Sequence, residues 1–209
     1  EADLEENMME VAGEERRFLL SAPAWDEGDE PLPLLVDFHG LAEGAEVHAE
    51  MTQLGPLGVE EGFISVFPHG TGEPVAWQIA PDLDGNDDLV FVADMLDRLE
   101  AEQCVDTSRV YAMGLSNGTM MSSTVACTMP ERFAAVAPIA GVTVPEPCER
   151  ERPVPMQTAH GTADQILRFD GEVDNAALVA GLGGGGGNTT TTAATELDGG
   201  GYPETVREW

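Results

Sequence analysis

The chain predicts an α/β fold: a mostly parallel central sheet with helices on both faces. Apolar strand-like runs alternate with helical segments, the pattern that parallel sheets require. Leu34 to Phe38 (LLVDF) is nearly continuously apolar, as expected for a central strand covered on both faces, and Phe63 to Phe67 (FISVF) is another strand. Segments rich in candidate site residues follow Phe38, Met113 and Ala159, all at carboxyl ends of expected strands, where such sheets place their ligands.

The elements follow in order. Arg16 to Ser21 reads as a strand, and Pro31 and Pro33 mark the approach to the next, Leu34 to Phe38. Ala45 to Glu61 has helical character interrupted at Gly55, Pro56 and Gly58. Pro68 ends the Phe63 to Phe67 strand. Asp88 to Gln103 carries Leu89, Val92, Ala93, Leu96 and Leu99 at helical spacing, with Asp87 or Asp88 expected as its cap. Arg109 to Met113 is a strand and Thr119 to Met129 a helix; Phe133 to Ile139 and Val154 to Ala159 add two more strands. Gly183 to Gly187 and Thr189 to Thr192 cannot bury enough apolar area to offset their ordering, so residues 181–192 are expected to form a mobile segment. Asn188-Thr189-Thr190 matches a glycosylation acceptor.

Composition narrows the function. At 209 residues and 42% hydrophobic content, one domain over residues 1–209 with a sizeable core is expected. No uninterrupted apolar run is long enough to cross a bilayer, so membrane insertion is not expected. Glu1 to Glu6 lack the basic start and apolar core of a signal peptide. The 39 acidic and 9 basic residues, all of the latter arginine, leave a net charge of -30. Nucleic acid is thereby disfavoured as a partner, because its phosphates would be repelled. Two readings of the charge remain: a high-salt habitat, where screening quiets self-repulsion, or a generally acidic secreted protein. Cys104, Cys127 and Cys148 have no metal-ligand spacing; one disulfide with an odd thiol, or buried free cysteines, are both open.

Gly114-Leu115-Ser116-Asn117-Gly118 lies between an expected strand and an expected helix. In that context G-x-S-x-G forms a strained turn that presents a nucleophilic hydroxyl above the sheet, and the glycines allow an approach too close for a Cβ. Ser116 is the expected nucleophile. Asp164, downstream and just past a strand, is the expected acid of a triad, with Asp170 as runner-up. Oxyanion donors are expected in the backbone amides of Asn117 and, from His39-Gly40-Leu41, of Leu41. The base is harder to place, because His39, His48, His69 and His160 all precede Asp164. His39 and His160 read as loop supports, His48 as a surface helix residue, and His69 as a residue lining the site. The reading adopted is that the chain stops before its base.

Leu34 to Gly40 (LLVDFHG), Gly62 to Gly70 (GFISVFPHG), Cys104 to Gly118 (CVDTSRVYAMGLSNG), Phe133 to Gly141 (FAAVAPIAG) and His160 to Asp164 (HGTAD) together resemble the extracellular polyhydroxybutyrate depolymerase and feruloyl esterase family of α/β-hydrolases. The resemblance spans most of residues 16–170. It implies Ser116 as nucleophile, Asp164 as acid, Leu41 and Asn117 as oxyanion donors, and Trp77 near the substrate cleft; a core tryptophan is the alternative for Trp77. Family members carry their histidine in a glycine-rich segment resembling GGGHTWPG. Here Gly199-Gly200-Gly201-Tyr202-Pro203 has tyrosine where the histidine would stand, and tyrosine's pKa of about 10 unsuits it as a base. The resemblance therefore implies an α/β-hydrolase fold lacking its C-terminal part.

The leading expectation is an extracellular serine carboxylester hydrolase, acting through an acyl-enzyme on feruloyl or acetyl esters or on a polyester such as polyhydroxybutyrate. No metal or cofactor is expected, since the histidines and cysteines lack ligand spacing. A hydrolase-fold binding module lacking its base, and a serine peptidase of the same fold, are the alternatives.

Overall fold

A hairpin begins the chain in the computed structural model, which describes residues 4–26, 28–148, 152–170 and 202–209. Strands β1 (Glu5–Val11) and β2 (Glu14–Ser21) are joined through Ala12 and Gly13, both at positive φ (52° and 85°). That conformation matches the strand twist in a two-residue turn. β1 was not foreseen from the sequence. It is an outer strand, and Glu5, Glu6 and Glu10 along it guard an edge that would otherwise pair with another chain.

The remaining strands are β3 (Leu32–Phe38), β4 (Ile64–Pro68), β5 (Val105–Leu115) and β6 (Ala135–Ile139). The helices are α1 (Gly44–Thr52), α2 (Leu54–Glu61), α3 (Asp87–Glu102), α4 (Asn117–Thr128) and α5 (Tyr202–Glu208). The sheet runs β1-β2-β4-β3-β5-β6. β2 is antiparallel to both β1 and β4, whereas β4, β3, β5 and β6 are mutually parallel. From β3 the chain winds outward to β4 on one side and then returns to β5 on the other. The strand order thus reverses between β3 and β5, and in such sheets ligands bind beyond the carboxyl ends of the strands at such a switch point.

Side chains of alternating direction feed two cores. Leu34, Val36 and Val66 join Leu89, Val92, Leu96 and Leu99 of α3 and Met121 and Val125 of α4 in the larger cluster. Leu19 and Phe67 meet Ala45 and Ala49 of α1 in the smaller. Helices thus cover both faces. Each fully buried Leu, Val or Phe contributes about 1.5–3 kcal/mol relative to exposure.

Several boundaries differ from expectation. The break in residues 45–61 falls at Gln53, in left-handed conformation at φ 57°, and Gly55, Pro56 and Gly58 lie inside α2. Pro56 is in the first turn, where an N–H has no intrahelical acceptor to lose. Gly58 is needed for contact: a Cβ there would stand 2.6 Å from Phe63 O. Asn86, not Asp87 or Asp88, caps α3, its Oδ1 accepting from Asp88 N at 3.0 Å and Leu89 N at 3.2 Å. Its amide also donates to Gln78 O and Ala80 O, fastening the preceding loop. Val154 to Ala159 runs parallel beside β6 but pairs with it through the isolated bridges Val136–Met156 and Ile139–Ala159 rather than a continuous ladder.

Two cross-links complete the frame. Arg16 of β2 and Asp88 of α3 form a buried ion pair at 2.5 Å; Asp88 Oδ2 also accepts Gln78 N, and Arg16 lies over the Phe91 ring. Cys127 of α4 and Cys148 form a disulfide, with Cys104 a half-buried free thiol. The Gly183–Thr192 segment and Asn188 lie outside the described residues.

Candidate active site

Only Ser116 separates β5 from α4, and it sits at φ 56°, ψ -114°. A non-glycine residue there is strained, and such strain persists only when its surroundings over-determine it. They do so here. Ser116 N donates to Ile139 O at 3.1 Å, and Ser116 O accepts from Met120 N at 3.2 Å. A Cβ on Gly118 would lie 2.0 Å from Phe38 O, and one on Gly114 would lie 2.3 Å from Gly118 O. Both glycines are therefore required by backbone-to-backbone contact. Thr119, at the start of the expected helix, donates through Oγ1 to Gly114 O at 2.8 Å and accepts Ile139 N at 2.9 Å. It ties β5, α4 and β6 together below the nucleophile.

The loop after β3 passes directly beside Ser116. A Cβ built on Gly40 would come within 3.9 Å of Ser116 Cβ. The loop is held residue by residue. His39 O accepts the Trp77 indole N–H at 2.9 Å, Gly40 N donates to Glu43 Oε2 at 2.7 Å, and Ala42 N donates to Val75 O at 2.7 Å. Asn117 opens α4, whose first-turn N–H groups have no intrahelical acceptors. Its side-chain Oδ1 accepts Trp77 N at 2.7 Å. Trp77 itself is 3% exposed, packed edge-on against Phe38 at 5.2 Å. It braces the β3 loop and α4 from below, a placement that fits the core alternative.

β6 carries the rim onward. Ala140 N donates to Ala159 O at 2.9 Å, which brings the His160 to Asp164 loop to the edge occupied by Ser116. Asp164 Oδ1 accepts Ile166 N at 2.9 Å and Leu167 N at 3.0 Å, fixing the carboxylate. Asp170 pairs with Arg168 at 2.6 Å on the exposed surface.

Each histidine has an occupation. His39 is buried, and desolvation lowers its pKa to about 4. As a neutral ring it donates from Nδ1 to Gly40 O at 2.7 Å and accepts Gly70 N at Nε2, 2.9 Å away. His69 accepts Ala45 N at 3.1 Å and contacts Arg17; desolvation and that guanidinium lower its pKa. His160 donates from Nε2 to Leu167 O at 2.7 Å and stacks on Tyr202 at 5.0 Å. His48 is not the surface residue expected. It is 1% exposed, with Nε2 2.9 Å from Asp37 Oδ1 and Nδ1 3.1 Å from Glu43 Oε2. A carboxylate six positions before Glu43, on a strand rather than the helix, is what draws it inward; helical spacing alone carried no sign of this. Among the described residues no cluster of histidine, cysteine and carboxylate groups is arranged to hold a metal.

A mixed sheet of this order with a strained serine between its parallel strand β5 and the following helix defines an α/β-hydrolase. Its fold overlays an acetyl xylan esterase from Aspergillus awamori with a TM-score of 0.62 at 19% identity, over 73% of this chain and 69% of that one. In sequence the chain is related to esterases. It is 29% identical to feruloyl esterase B of Piromyces equi over 75% of its own length and 30% of that protein. It is 33% identical to poly(3-hydroxyalkanoate) depolymerase C of Paucimonas lemoignei over 52% of its own length and 28% of that protein. The chain thus spans under a third of these two relatives. Residues 52–151 match the model of the prolyl oligopeptidase family.

Proposed function

We propose that the chain is the nucleophile-bearing part of a serine carboxylester hydrolase. The backbone of Ser116 carries this reading, since a strained serine enforced by Gly114 and Gly118 has no evident packing purpose. Ser116 Oγ attacks the ester carbonyl and its proton passes to a base. Asn117 N–H and Leu41 N–H hold the oxyanion; Leu41 N–H donates to no acceptor among the described residues. Collapse expels the alcohol and leaves an acyl-serine, which water hydrolyses. Asp164 Oδ2, 3.9 Å from His160 Nε2, is the oxygen that would orient the base, Oδ1 being taken by two backbone amides. No histidine of this sequence follows Asp164, and each of the four present is hydrogen-bonded to another partner. Feruloyl or acetyl esters, or a polyester, are the substrates that the relatives' names support for this chain.

The test is covalent capture. A fluorophosphonate should label Ser116 in an extended protein that carries a histidine after Asp164, Ser116→Ala should abolish labelling, and p-nitrophenyl acetate turnover should fall by about 10³ or more. Equal ester turnover by the two forms would reject the reading. The match to prolyl oligopeptidases supports a peptidase as second reading; hydrolysis of p-nitroanilide peptides in preference to esters would select it. The disulfide supports an oxidising, extracellular setting. The charge of -30 supports a saline one. A melting temperature unchanged between low and molar salt would remove the saline part.

A further inference from the structure

His48 joins two carboxylates from different elements, Asp37 at the end of β3 and Glu43 in the loop before α1. Both ring nitrogens face carboxylate oxygens, so both act as donors, a role only the imidazolium fills. The second oxygen of Asp37 is buried and accepts nothing among the described residues, so a neutral ring would leave that anion uncompensated. Glu43 Oε2 has a double duty: besides meeting His48, it accepts Gly40 N at 2.7 Å. Gly40 lies against the nucleophile and its carbonyl forms the peptide that supplies Leu41 N–H. A continuous path therefore runs from Asp37 through His48, Glu43 and Gly40 to Leu41.

We propose that His48, held as an imidazolium between Asp37 and Glu43, is a positioning residue that orients the Leu41 N–H beside Ser116. The loop keeps that orientation while the ring is charged and loosens when it deprotonates. The role of Leu41 rests on the esterase reading above; the coupling of His48 to the loop does not. The ionisable groups facing the ring are Asp37 from β3, Glu43 from the loop and His39, the last neutral at pH 7. Burial alone would lower the pKa of His48, but the hydrogen bonds and charges of Asp37 and Glu43 outweigh it and hold it above the ordinary value. The ring therefore stays charged to a higher pH than a free imidazole, and the device fails as pH rises through that raised value.

The test follows the His48 ring nitrogens and the Gly40 and Leu41 amides by NMR through a pH titration of the labelled chain. All are expected to move with one midpoint above 6.5. In Glu43→Gln, whose site is at the edge of the cluster and spares the core, the His48 midpoint should fall and the two amides should cease to follow it. Fluorophosphonate capture of Ser116 in the extended protein should be at least fivefold slower in Glu43→Gln than in wild type at pH 7. Amides that stay flat while His48 titrates overturn the proposal, whatever the labelling. Coupled amides with equal labelling in both forms overturn the link to Leu41. Coupled amides with no labelling of wild type at all reject Ser116 as nucleophile and leave the loop coupling standing.

Discussion

Replacing both Cys127 and Cys148 by alanine should destabilise the protein by about 3 kcal/mol. The bond closes a loop of 21 residues between the end of the nucleophile helix α4 and the segment after β6. The loop-closure relation gives an entropy near 11 cal/mol/K for such a loop, or about 3 kcal/mol at 25 °C. Equilibrium urea unfolding measures this, in a Cys104→Ala background so that the free thiol cannot exchange. A second signature separates this mechanism from lost packing at Cys127, which is buried. Freed of its link, the denatured chain expands, so the dependence of stability on urea should steepen in the variant. A loss below about 1 kcal/mol, or an unchanged slope, would refute the denatured-state argument.

Asp88→Asn removes the anion from the buried pair and leaves Arg16 charged and buried, for an expected loss of about 3–5 kcal/mol by urea unfolding; a loss under 1 kcal/mol would mean water reaches the guanidinium. Gly118→Ala places a Cβ 2.0 Å from Phe38 O, so it should cost about 3 kcal/mol and abolish capture of Ser116; full labelling would show that the turn tolerates a side chain. His39, whose folded pKa of about 4 lies below its unfolded value of 6.5, takes up its proton only in the unfolded chain between those values. Its contribution is complete above pH 6.5 and is lost as pH falls towards 4, by about 3 kcal/mol. Subtracting the profile of His39→Gln isolates this from the carboxylates; identical profiles would contradict it.

The parallel layers and the nucleophile turn were legible because each leaves a local mark. Continuous apolar runs such as LLVDF mark doubly covered strands, and a serine between two glycines at a strand-to-helix junction marks a close backbone crossing. The unread features depend on distant partners. Nothing near His48 signals that Asp37, on a strand, will turn it inward. Arg16 and Asp88 are 72 positions apart, and neither looks unlike a surface charge in sequence. β1 leaves a weak mark because four of its seven residues are polar and its alternation is that of a half-exposed strand. Asn86 was missed as a cap because two aspartates beside it offered the same chemistry.

The glutamates lining β1 protect an otherwise open ladder only while their fields reach an approaching chain. Molar salt shortens that reach to about 3 Å. The same ions that calm repulsion across so anionic a molecule would also disarm its outermost strand. Tolerance of brine and resistance to strand-by-strand self-association therefore pull against each other in this architecture.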